Sequence, residues 1–438
     1  MNYLSDSTRS LYCKYLIASV GSALVVSIYS LVDTIAVGQS EGPAGAAAMA
    51  IITPIYGVQV FLSILIGIGG SVLMSNAKGE GNEEKANAYF TASALLMGLL
   101  TGITWVLFAL YSGEILSFFG ADGETLPVVM RYAKWLIRCW PVFIFSPFIS
   151  AFIRNDNAPG LAMAAVIAGG CLNIFGDWFF VFPLGMGMEG AAIATVMGTS
   201  VQCLMLGSHF FRKGCGLKFV RPFRLGKAVR KIFAIGIGSS LLDLGTVIIA
   251  IIINNQIMRY GGATELAVYG VIVTLTSLIQ AVYCGVGQAI QPLVSVNYGA
   301  GQTGRVREFL KLSLLTSGWM GIVFTLTAEA FPIPIIRLFM NATPEVLAAA
   351  PEIMRCYAAL YLFLGITVLA TYYLQSVMRD KASVLVSVLR SLVISGALLY
   401  ALPLVLGIRG VWLAMPVSEF LVMVLALALI ARRDRAGA

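Results

Sequence analysis

Residues 50–74 read AIITPIYGVQVFLSILIGIGGSVLM, and no charged side chain interrupts them. A helix of this length rises roughly 37 Å, which exceeds the ~30 Å hydrocarbon core of a bilayer. Eleven further apolar runs of similar character occur along the chain, with short connections between them. Their approximate limits are 15–37, 88–111, 128–152, 159–182, 190–211, 232–257, 266–293, 309–331, 352–377, 384–405 and 411–431. The pattern predicts twelve transmembrane helices and leaves no room for a water-soluble domain.

The composition supports the same class of protein. Of 438 residues, 59% are hydrophobic and only 11% are charged, and the mean hydropathy is +0.88. An average soluble protein carries about 25% charged residues, so we exclude a soluble enzyme, a disordered protein and a nucleic-acid-binding protein. The seven cysteines form no CxxC pair and most lie in apolar runs. They are typical of small core residues, not of disulfides or zinc ligands.

The basic residues predict the orientation of the chain in the membrane. With the N-terminus inside, 21 of the 29 Lys and Arg residues fall on the cytoplasmic side, 7 fall outside, and Arg390 lies within a span. Cytoplasmic loops of membrane proteins carry this excess of basic residues. We therefore expect a multi-pass protein of the plasma membrane with both termini in the cytoplasm. The stripe of Arg131, Lys134 and Arg138 at the outer start of the fourth span does not fit this distribution of basic residues.

The longest connection is strongly basic and falls at the middle of the chain. Residues 212–231 contain eight basic residues and no acidic one. They could bind anionic lipid headgroups, or they could serve only as a topology anchor between two halves, which is the simpler interpretation. The sequence predicts an N-terminal six-helix lobe over 1–215, a cytoplasmic linker over 216–231 and a C-terminal six-helix lobe over 232–438.

The two halves align with each other at a shift of 220 residues. The matching pairs include Gly67 with Gly287, Ser75 with Ser295, Gly79 with Gly299, Gly81 with Gly301, Phe119 with Phe339, Gly187 with Gly407 and Gly190 with Gly410. A constant shift indicates duplication of a six-span unit, and an even number of spans gives both copies the same orientation. The predicted fold is therefore an all-α integral membrane protein with two parallel six-helix repeats and a cleft between the lobes.

A small set of polar residues lies at one depth in the first half. Asp33 in the first span, Asp177 in the fifth and Thr195 in the sixth are each about five residues from an outer helix end. They would thus lie roughly 7–8 Å below the outer surface of the hydrocarbon. Tyr29 and Asn173 each precede one of the acids by one helical turn. This oxygen-rich group could bind Na⁺ or share a proton, or each acid could pair locally and merely fasten helices.

The second half offers weaker candidates for a substrate cavity. They are Asp243, Asn255, Gln280 and Gln288. Asp243 near the middle of the membrane could attract an organic cation, because a buried charge needs a partner. It could instead neutralise Arg390, for which Glu419 competes. The single histidine, His209, lies at the inner end of the sixth span, where we expect an interface residue and not a metal ligand.

Several short motifs resemble the multidrug and toxic compound extrusion (MATE) family over essentially the whole chain. They are VDTIAVG at 32–38, Arg154, NIFGD at 173–177, GMEGAAIAT at 187–195, and QPL at 291–293 with NYGAG at 297–301. The resemblance implies a V-shaped pair of six-helix bundles that exports cationic amphiphilic compounds in exchange for Na⁺ or H⁺. It also implies a monomer whose partners are small organic cations and the lipid bilayer, with no nucleic acid and no cofactor beyond the coupling ion.

The same resemblance assigns roles to individual residues. It implies that Asp33, Asn173, Asp177 and Thr195 bind the cation, with Tyr29 one turn before the first acid. Some members of the family carry further acids on spans 7 and 10. Asp243 matches the first of these, whereas the tenth span has only Glu352 at its start. We therefore do not expect a cation site in the second lobe.

Three alternatives remain open. A lipid-linked or polysaccharide flippase of the wider superfamily would have more spans and a basic cavity, whereas the acids predominate within the spans here. A major-facilitator carrier would have a GxxxDRxGRR-like link between spans 2 and 3, but residues 76–81 read NAKGEG. A membrane enzyme such as an acyltransferase would need a histidine or paired acids at the interface. His209 has no acid near it in sequence, so we do not expect an enzyme.

Overall fold

The computed structural model describes residues 3–119, 121, 123, 126–221, 225–339 and 343–434. Within the helices, the description excludes the side chains of residues 34, 38, 41–47, 50, 242–244, 246, 247, 263 and 432–434. All regular secondary structure in the described residues is helical, and no strand occurs among them. The predicted all-α fold class is confirmed.

Sixteen α-helices make up the described chain. They are α1 (Thr8–Gly79), α2 (Glu83–Leu110), α3 (Ser112–Phe118), α4 (Leu126–Arg138), α5 (Trp140–Asn155), α6 (Pro159–Gly176), α7 (Gly187–Gly207), α8 (Leu225–Tyr260), α9 (Ala263–Gly299), α10 (Thr303–Ala330), α11 (Pro332–Phe339), α12 (Pro344–Ala358), α13 (Leu360–Ser376), α14 (Asp380–Val388), α15 (Ile394–Leu406) and α16 (Ile408–Asp434). A π-helical turn, Asp177–Val181, extends α6, and another, Leu389–Val393, joins α14 to α15.

The long helices have the length and the surface of membrane spans. Ten segments within the described residues are long and apolar enough to cross a bilayer, and α4 with α5 adds an eleventh. The remaining predicted span corresponds to α8, which contains side chains outside the description. Large apolar side chains such as Leu99, Leu204 and Trp319 are exposed on these helices. An aqueous protein would bury such residues, so these surfaces face lipid.

The backbone of α1 is helical from Thr8 to Gly79 and contains two span-length segments, Thr8–Val37 and Ile51–Gly79. The Tyr132 hydroxyl lies within 3.4 Å of both the Asp33 carboxylate and the Tyr56 hydroxyl. A straight helix would separate residues 33 and 56 by about 35 Å. The two segments of α1 are therefore folded against a common neighbour and are not collinear.

The fourth span differs from the single straight helix predicted for residues 128–152. It is broken between Arg138 and Trp140, and α4 and α5 meet at 58°. Pro141 at the start of α5 explains the break, because proline lacks the N–H that would continue the preceding helix.

The shape of α4 also explains the basic stripe found in the sequence. It buries Val129, Tyr132, Ala133 and Leu136 on one face. The three basic residues 131, 134 and 138 lie on the other, and the Arg138 guanidinium lies 5.0 Å from the Trp135 ring. The stripe is thus the polar face of a short amphipathic helix.

The internal repeat is visible in the backbone. α1 ends at Gly79 and α9 at Gly299, and α2 begins at 83 and α10 at 303, so both pairs keep the shift of 220. Gly81 and Gly301 have φ of 76° and 73°, and Gly187 and Gly407 have φ of 51° and 60°. Left-handed conformations favour glycine, which explains why glycine recurs at these sequence positions. The two halves therefore have turns of the same backbone conformation at equivalent positions, as the predicted duplication requires.

The described chain divides into two compact units. The first consists mainly of Ile17–Gly236, and the second mainly of Ile237–Tyr298 and Gln302–Ala438. The residues predicted for the cation site belong to the first unit, and those predicted for the substrate cavity belong to the second.

Candidate functional site

The first unit brings together the polar residues that the sequence placed at one depth. Asp33 comes from α1, Asn173 from α6, Asp177 from the π-helical turn and Thr195 from α7. All four are buried, and Asp177 is fully inaccessible to solvent. Asp33 and Asp177 are close enough to interact electrostatically. Two buried carboxylates without a basic partner among the described residues create a strongly cation-attracting position.

The hydroxyl of Tyr132 connects three elements of this site. It lies 3.4 Å from Asp33 Oδ2, 3.3 Å from Thr195 Oγ1 and 3.0 Å from the hydroxyl of Tyr56. The first two distances are longer than the usual 2.7–2.8 Å for O–H···O bonds. A single hydroxyl hydrogen serves one acceptor at a time, so α4 holds α1 and α7 through a loose, shared contact.

Thr195 orients the amide of Asn173. Asn173 Nδ2 donates to Thr195 Oγ1 at 3.2 Å, and Thr195 Oγ1 donates to Ala191 O at 3.0 Å. The amide nitrogen is therefore fixed on Thr195, and the amide oxygen is directed away from it. Thr195 contributes mainly by positioning Asn173, since its own hydroxyl is already fully hydrogen-bonded.

Four buried oxygen atoms of the site have no hydrogen-bond partner among the described residues. They are Asp33 Oδ1, Asn173 Oδ1, Asp177 Oδ1 and Asp177 Oδ2. Leaving buried oxygens without donors is costly, by roughly 1–3 kcal/mol for a neutral group and more for a charged one. Carboxylate and amide oxygens are also the ligands that hard cations prefer. The site is chemically suited to a bound cation, or to a proton on one of the two carboxylates.

Glycines set the distance between the helices that carry these oxygens. A Cβ atom on Gly198 would lie 2.5 Å from Gly169 O and 3.0 Å from Asn173 Cβ. A Cβ atom on Gly176 would lie 2.8 Å from Ala194 Cβ, next to Thr195. The backbones of α6 and α7 therefore approach closely because side chains are absent at the contact.

The π-helical turn begins at Asp177 itself. Such a turn accommodates one extra residue and is often found at functional sites. Tyr29, the fifth predicted site residue, packs nearby: a Cβ atom on Gly170 would meet its ring at 3.1 Å. The structure therefore brings all five predicted residues of the cation site into one region of the first unit.

Sequence reasoning missed Tyr132 and Tyr56. Both tyrosines meet at the site, with ring centroids 6.5 Å apart and hydroxyls in contact. Tyr132 lies on α4, whose charged residues Arg131, Lys134 and Arg138 drew attention away from it. A useful signal was available, because position 132 falls on the apolar face of that amphipathic helix and carries its only hydroxyl.

The second unit contains a cavity of about 250 Å³. Its wall combines aromatic and apolar side chains with a few polar groups, including Tyr269, Thr276, Gln280, Tyr357, Arg390 and Glu419. Drug-sized ligand sites typically measure 300–1,000 Å³ and have such a mixed lining. The cavity thus has room for part of an amphiphilic molecule.

An ion pair forms one end of this cavity. Arg390 Nε lies 2.5 Å from Glu419 Oε1, and Thr367 donates its hydroxyl to Glu419 Oε2 at 2.5 Å. Both charged side chains are buried. Of the two acids considered for Arg390, Glu419 is its partner in the described structure. Arg390 lies in the second π-helical turn, so the fifth span of each half places a buried charge in a π-helical turn.

The predicted substrate-cavity residues have different positions. Gln280 lines the cavity, with its Oε1 3.5 Å from Arg390 Nη2. Gln288 is half-buried two turns further along α9, and Asn255 is exposed on α8. Neither residue is part of the cavity wall. The side chain of Asp243 lies outside the described residues.

His209 takes part in a buried polar cluster at the end of α5. Its Nε2 lies 2.7 Å from Asp156 Oδ2, and Lys78 forms a salt bridge with Asp156 Oδ1. Burial alone raises the pKa of Asp156, but the hydrogen bonds from His209 and Lys78 and the lysine charge hold that pKa below its usual range. Asp156, His209 and Cys215 present ligand atoms within 4.8 Å of one another. Because the Lys78 ammonium already neutralises the carboxylate, we interpret the cluster as structural.

The basic connection of residues 212–231 belongs to the first unit. Three alternate backbone N–H groups donate to side chains: Gly216 to Asp156 Oδ2 at 2.9 Å, Lys218 to Asn87 Oδ1 at 2.9 Å, and Val220 to Thr91 Oγ1 at 3.0 Å. This period of two is that of an extended chain. Residues 216–220 are therefore held against the ends of α2 and α5.

Comparison with known proteins agrees with this architecture. A family model described as MatE matches residues 18–179 and 224–401. The multidrug export protein MepA of Staphylococcus aureus (strain MRSA252) is 23% identical over 422 residues, which cover 95% of this chain and 92% of MepA. MepA of Staphylococcus saprophyticus is 25% identical over 427 residues, with the same coverage.

Solved structures with the same fold cover almost the whole chain. One is described as the outward-facing conformation of a multidrug resistance MATE family transporter of the MOP superfamily. It has a TM-score of 0.92 at 20% identity and covers 99% of this chain and 97% of its own. A MOP superfamily transporter from Pyrococcus furiosus has a TM-score of 0.91 at 20% identity, and its binding pocket is described as having a reverse polarity that suggests a different function.

Proposed function

This chain belongs to the MatE family of multidrug efflux transporters, and on that premise we propose that it is a secondary antiporter. It exports cationic amphiphilic compounds and takes up Na⁺ or H⁺ in exchange. We further propose that it lies in the plasma membrane as a monomer with both termini in the cytoplasm, because basic residues concentrate in the connections assigned to that side.

The observation that carries the coupling proposal is the set of four unsatisfied oxygens in the first unit. Two carboxylates and one amide oxygen, buried together, are stabilised by a cation or a proton. Asp33, Asn173 and Asp177 would supply the ligands, while Thr195 and Tyr132 position them. Binding neutralises the acids and draws α1, α6 and the π-helical turn toward one centre.

Exchange requires that the coupling ion distinguishes two states of the protein. An ion that bound both states equally would shift nothing, however tightly it bound. The long contacts of the Tyr132 hydroxyl support such a difference, because they can shorten when a cation fills the site. The ion would thereby stabilise the arrangement that has released its substrate.

The cavity in the second unit supports an amphiphilic substrate. Tyr269 and Tyr357 offer aromatic faces, which attract organic cations. Arg390 and Glu419 neutralise each other and leave the wall without a large net charge among the described residues. We propose that the carboxylate of Asp243 attracts the cationic substrate.

The test measures ethidium efflux from cells or proteoliposomes under an imposed Na⁺ or H⁺ gradient. We expect one inward gradient to drive efflux in the wild type. The variant Asp177→Asn should lose at least about tenfold in gradient-driven rate, since one neutralised acid removes more than about 1.4 kcal/mol of ion binding. Glu308→Gln is the matched control, because it removes an exposed carboxylate from α10.

Normal gradient-driven efflux by Asp177→Asn would overturn the assignment of the ion site. Absence of dye movement under either gradient in the wild type would favour the flippase alternative. In that case, translocation of a labelled lipid-linked oligosaccharide becomes the informative assay.

A further inference from the structure

A second cavity, of about 490 Å³, lies at one end of the first unit and is lined by basic side chains. Lys85 comes from the first turn of α2, Arg221 from the connection, and Lys227 and Lys231 from the first two turns of α8. The residues 227 and 231 are four apart and therefore share a helix face. The cavity is thus bordered by two membrane-spanning helices and by the connection between α7 and α8, all within the first unit.

The position of Arg221 is fixed by the connection. The three backbone hydrogen bonds of residues 216, 218 and 220 end immediately before it. Phe219 also packs on Phe90 of α2, with ring centroids 5.1 Å apart. Arg221 is therefore held opposite the lysines of α8, and it is not carried on an unattached loop.

The positive charge of this cavity is only partly compensated. Among the described residues, Glu84 is the only acidic one in its wall, and Lys85 forms an exposed salt bridge with Glu80 at 2.6 Å. In the part of the chain that the structure describes, no ion pair involves Arg221, Lys227 or Lys231. A topology signal needs only the number of basic residues near a span. It does not need three uncompensated cations around one cavity.

The location of the cavity specifies the type of anion. Lys85 and Lys227 are each the third residue of a helix that is long enough to cross the membrane. Side chains at such helix ends lie at the level of the lipid headgroups. Each basic residue near an anionic surface adds to the attraction for lipid headgroups.

We propose that this cavity binds a phosphate-bearing anion at the membrane surface, namely the headgroup of an anionic phospholipid. Arg221 presents a planar pair of donors to the phosphate, and Lys227 and Lys231 add point charges. The bound headgroup joins α2, the connection and the start of α8 within the first unit. This role is additional to the proposed transport function and does not depend on it.

The test measures binding of phosphatidylglycerol to the purified full-length protein in neutral detergent by native mass spectrometry. The variant Arg221→Gln/Lys227→Gln/Lys231→Gln should bind this lipid at least about tenfold more weakly, with three attractions removed. The control Arg212→Gln/Lys213→Gln/Lys311→Gln removes the same charge outside the cavity and should bind like the wild type. Phosphatidylcholine should bind all three proteins equally.

Two further measurements distinguish the sources of the phosphate and guard against misfolding. Competition by millimolar glycerol phosphate would identify a soluble phosphorylated compound as a ligand of the same site, whereas its failure to compete would identify the lipid. The variant Lys227→Arg/Lys231→Arg should retain binding, which shows that charge and not the lysine itself is needed. Equal loss of phosphatidylglycerol in the cavity and control variants, or no loss in either, would overturn the proposal.

Discussion

The hydroxyl group of Tyr132 connects the helices that form the candidate cation site of the first unit. The Tyr132 hydroxyl contacts Asp33, Thr195 and Tyr56 at once. Its ring packs on the buried face of α4, while its hydroxyl reaches the polar centre. The ring and the hydroxyl therefore have separate roles, structural and positioning, and a conservative substitution can separate them.

We expect Tyr132→Phe to fold normally and to weaken coupling. The substitution keeps the ring but leaves Asp33 without the hydroxyl, at a cost of about 1 kcal/mol, or about fivefold in apparent ion affinity. The measurement is the Na⁺ or H⁺ concentration that gives half-maximal efflux.

Tyr283→Phe is the control for this substitution. It removes a buried hydroxyl that bonds Tyr361 O at 2.9 Å in the second unit. An equal change in ion dependence in both variants would show that Tyr132 has no special link to the ion.

Among the secondary-structure elements, the points where regular helices are interrupted position the functional groups. Pro141 breaks the fourth span, which lets α4 turn Tyr132 toward α1 and α7. The π-helical turns place Asp177 and Arg390, one in each half. Close glycine contacts bring α6 and α7 together beside Asn173.

The contact between α6 and α7 gives a prediction for Gly198→Ala. The added methyl would lie 2.5 Å from Gly169 O, so the two backbones must separate. We expect a loss of about 1–3 kcal/mol in stability and a marked loss of efflux, because the bond between Asn173 and Thr195 lengthens. Thermal unfolding in detergent and dye efflux measure the two effects.

Gly207→Ala is the matched control at the end of the same helix. A Cβ atom there meets nothing within 4 Å, so stability should stay equal or rise slightly. If Gly198→Ala behaved like this control, the close approach would have no functional importance.

The architecture and the residues of the cation site were predictable to different degrees. Apolar runs such as 50–74 have an unambiguous length, so the membrane fold follows from the hydrophobic pattern. Asp33 and Asp177 were identifiable because charge within a span is rare. The contribution of Tyr132 was not predictable, because its contact with Asp33, 99 positions away, depends on the angle between α4 and α5 at the break before Pro141.

The pairing of charges in the second unit shows the same limit. The sequence offered Asp243 and Glu419 as alternatives for Arg390, since depth alone does not distinguish them. The angular position of Glu419 on α16 relative to the π-helical turn decides the contact. Sequence spacing assumes regular α-helices, and a π-helical turn shifts every following residue by about one position.

At the scale of the whole molecule, the end of the first half is stabilised by Asp156. It joins Lys78 of α1, His209 after α7 and the N–H of Gly216 in the connection. We expect Asp156→Asn to lower stability by about 3 kcal/mol at pH 7, because a buried charge pair loses one partner. Thermal unfolding in detergent measures this change.

The pH dependence of the Asp156 variant has a defined sign. The pKa of Asp156 in the folded protein is lowered, so its stabilising effect is complete above the unfolded value of about 3.9 and is lost as the pH falls through the folded pKa. The difference between the wild type and Asp156→Asn should therefore narrow below about pH 4. Glu80→Gln removes one partner of an exposed salt bridge and should be as stable as the wild type at every pH. A stability difference between the wild type and Asp156→Asn that does not change with pH would contradict this explanation.

The attachment of residues 216–220 determines where the chain can be divided into separately expressed halves. A cut at residue 215, where the basic run suggests a boundary, would remove from the first fragment the extended segment 216–220 that donates to Asp156, Asn87 and Thr91. A cut after Val220 keeps those three acceptors satisfied. Residues 216–220 are thus the last structural element of the first fragment and not a spacer. Complementary fragments for co-expression should therefore be divided after residue 220.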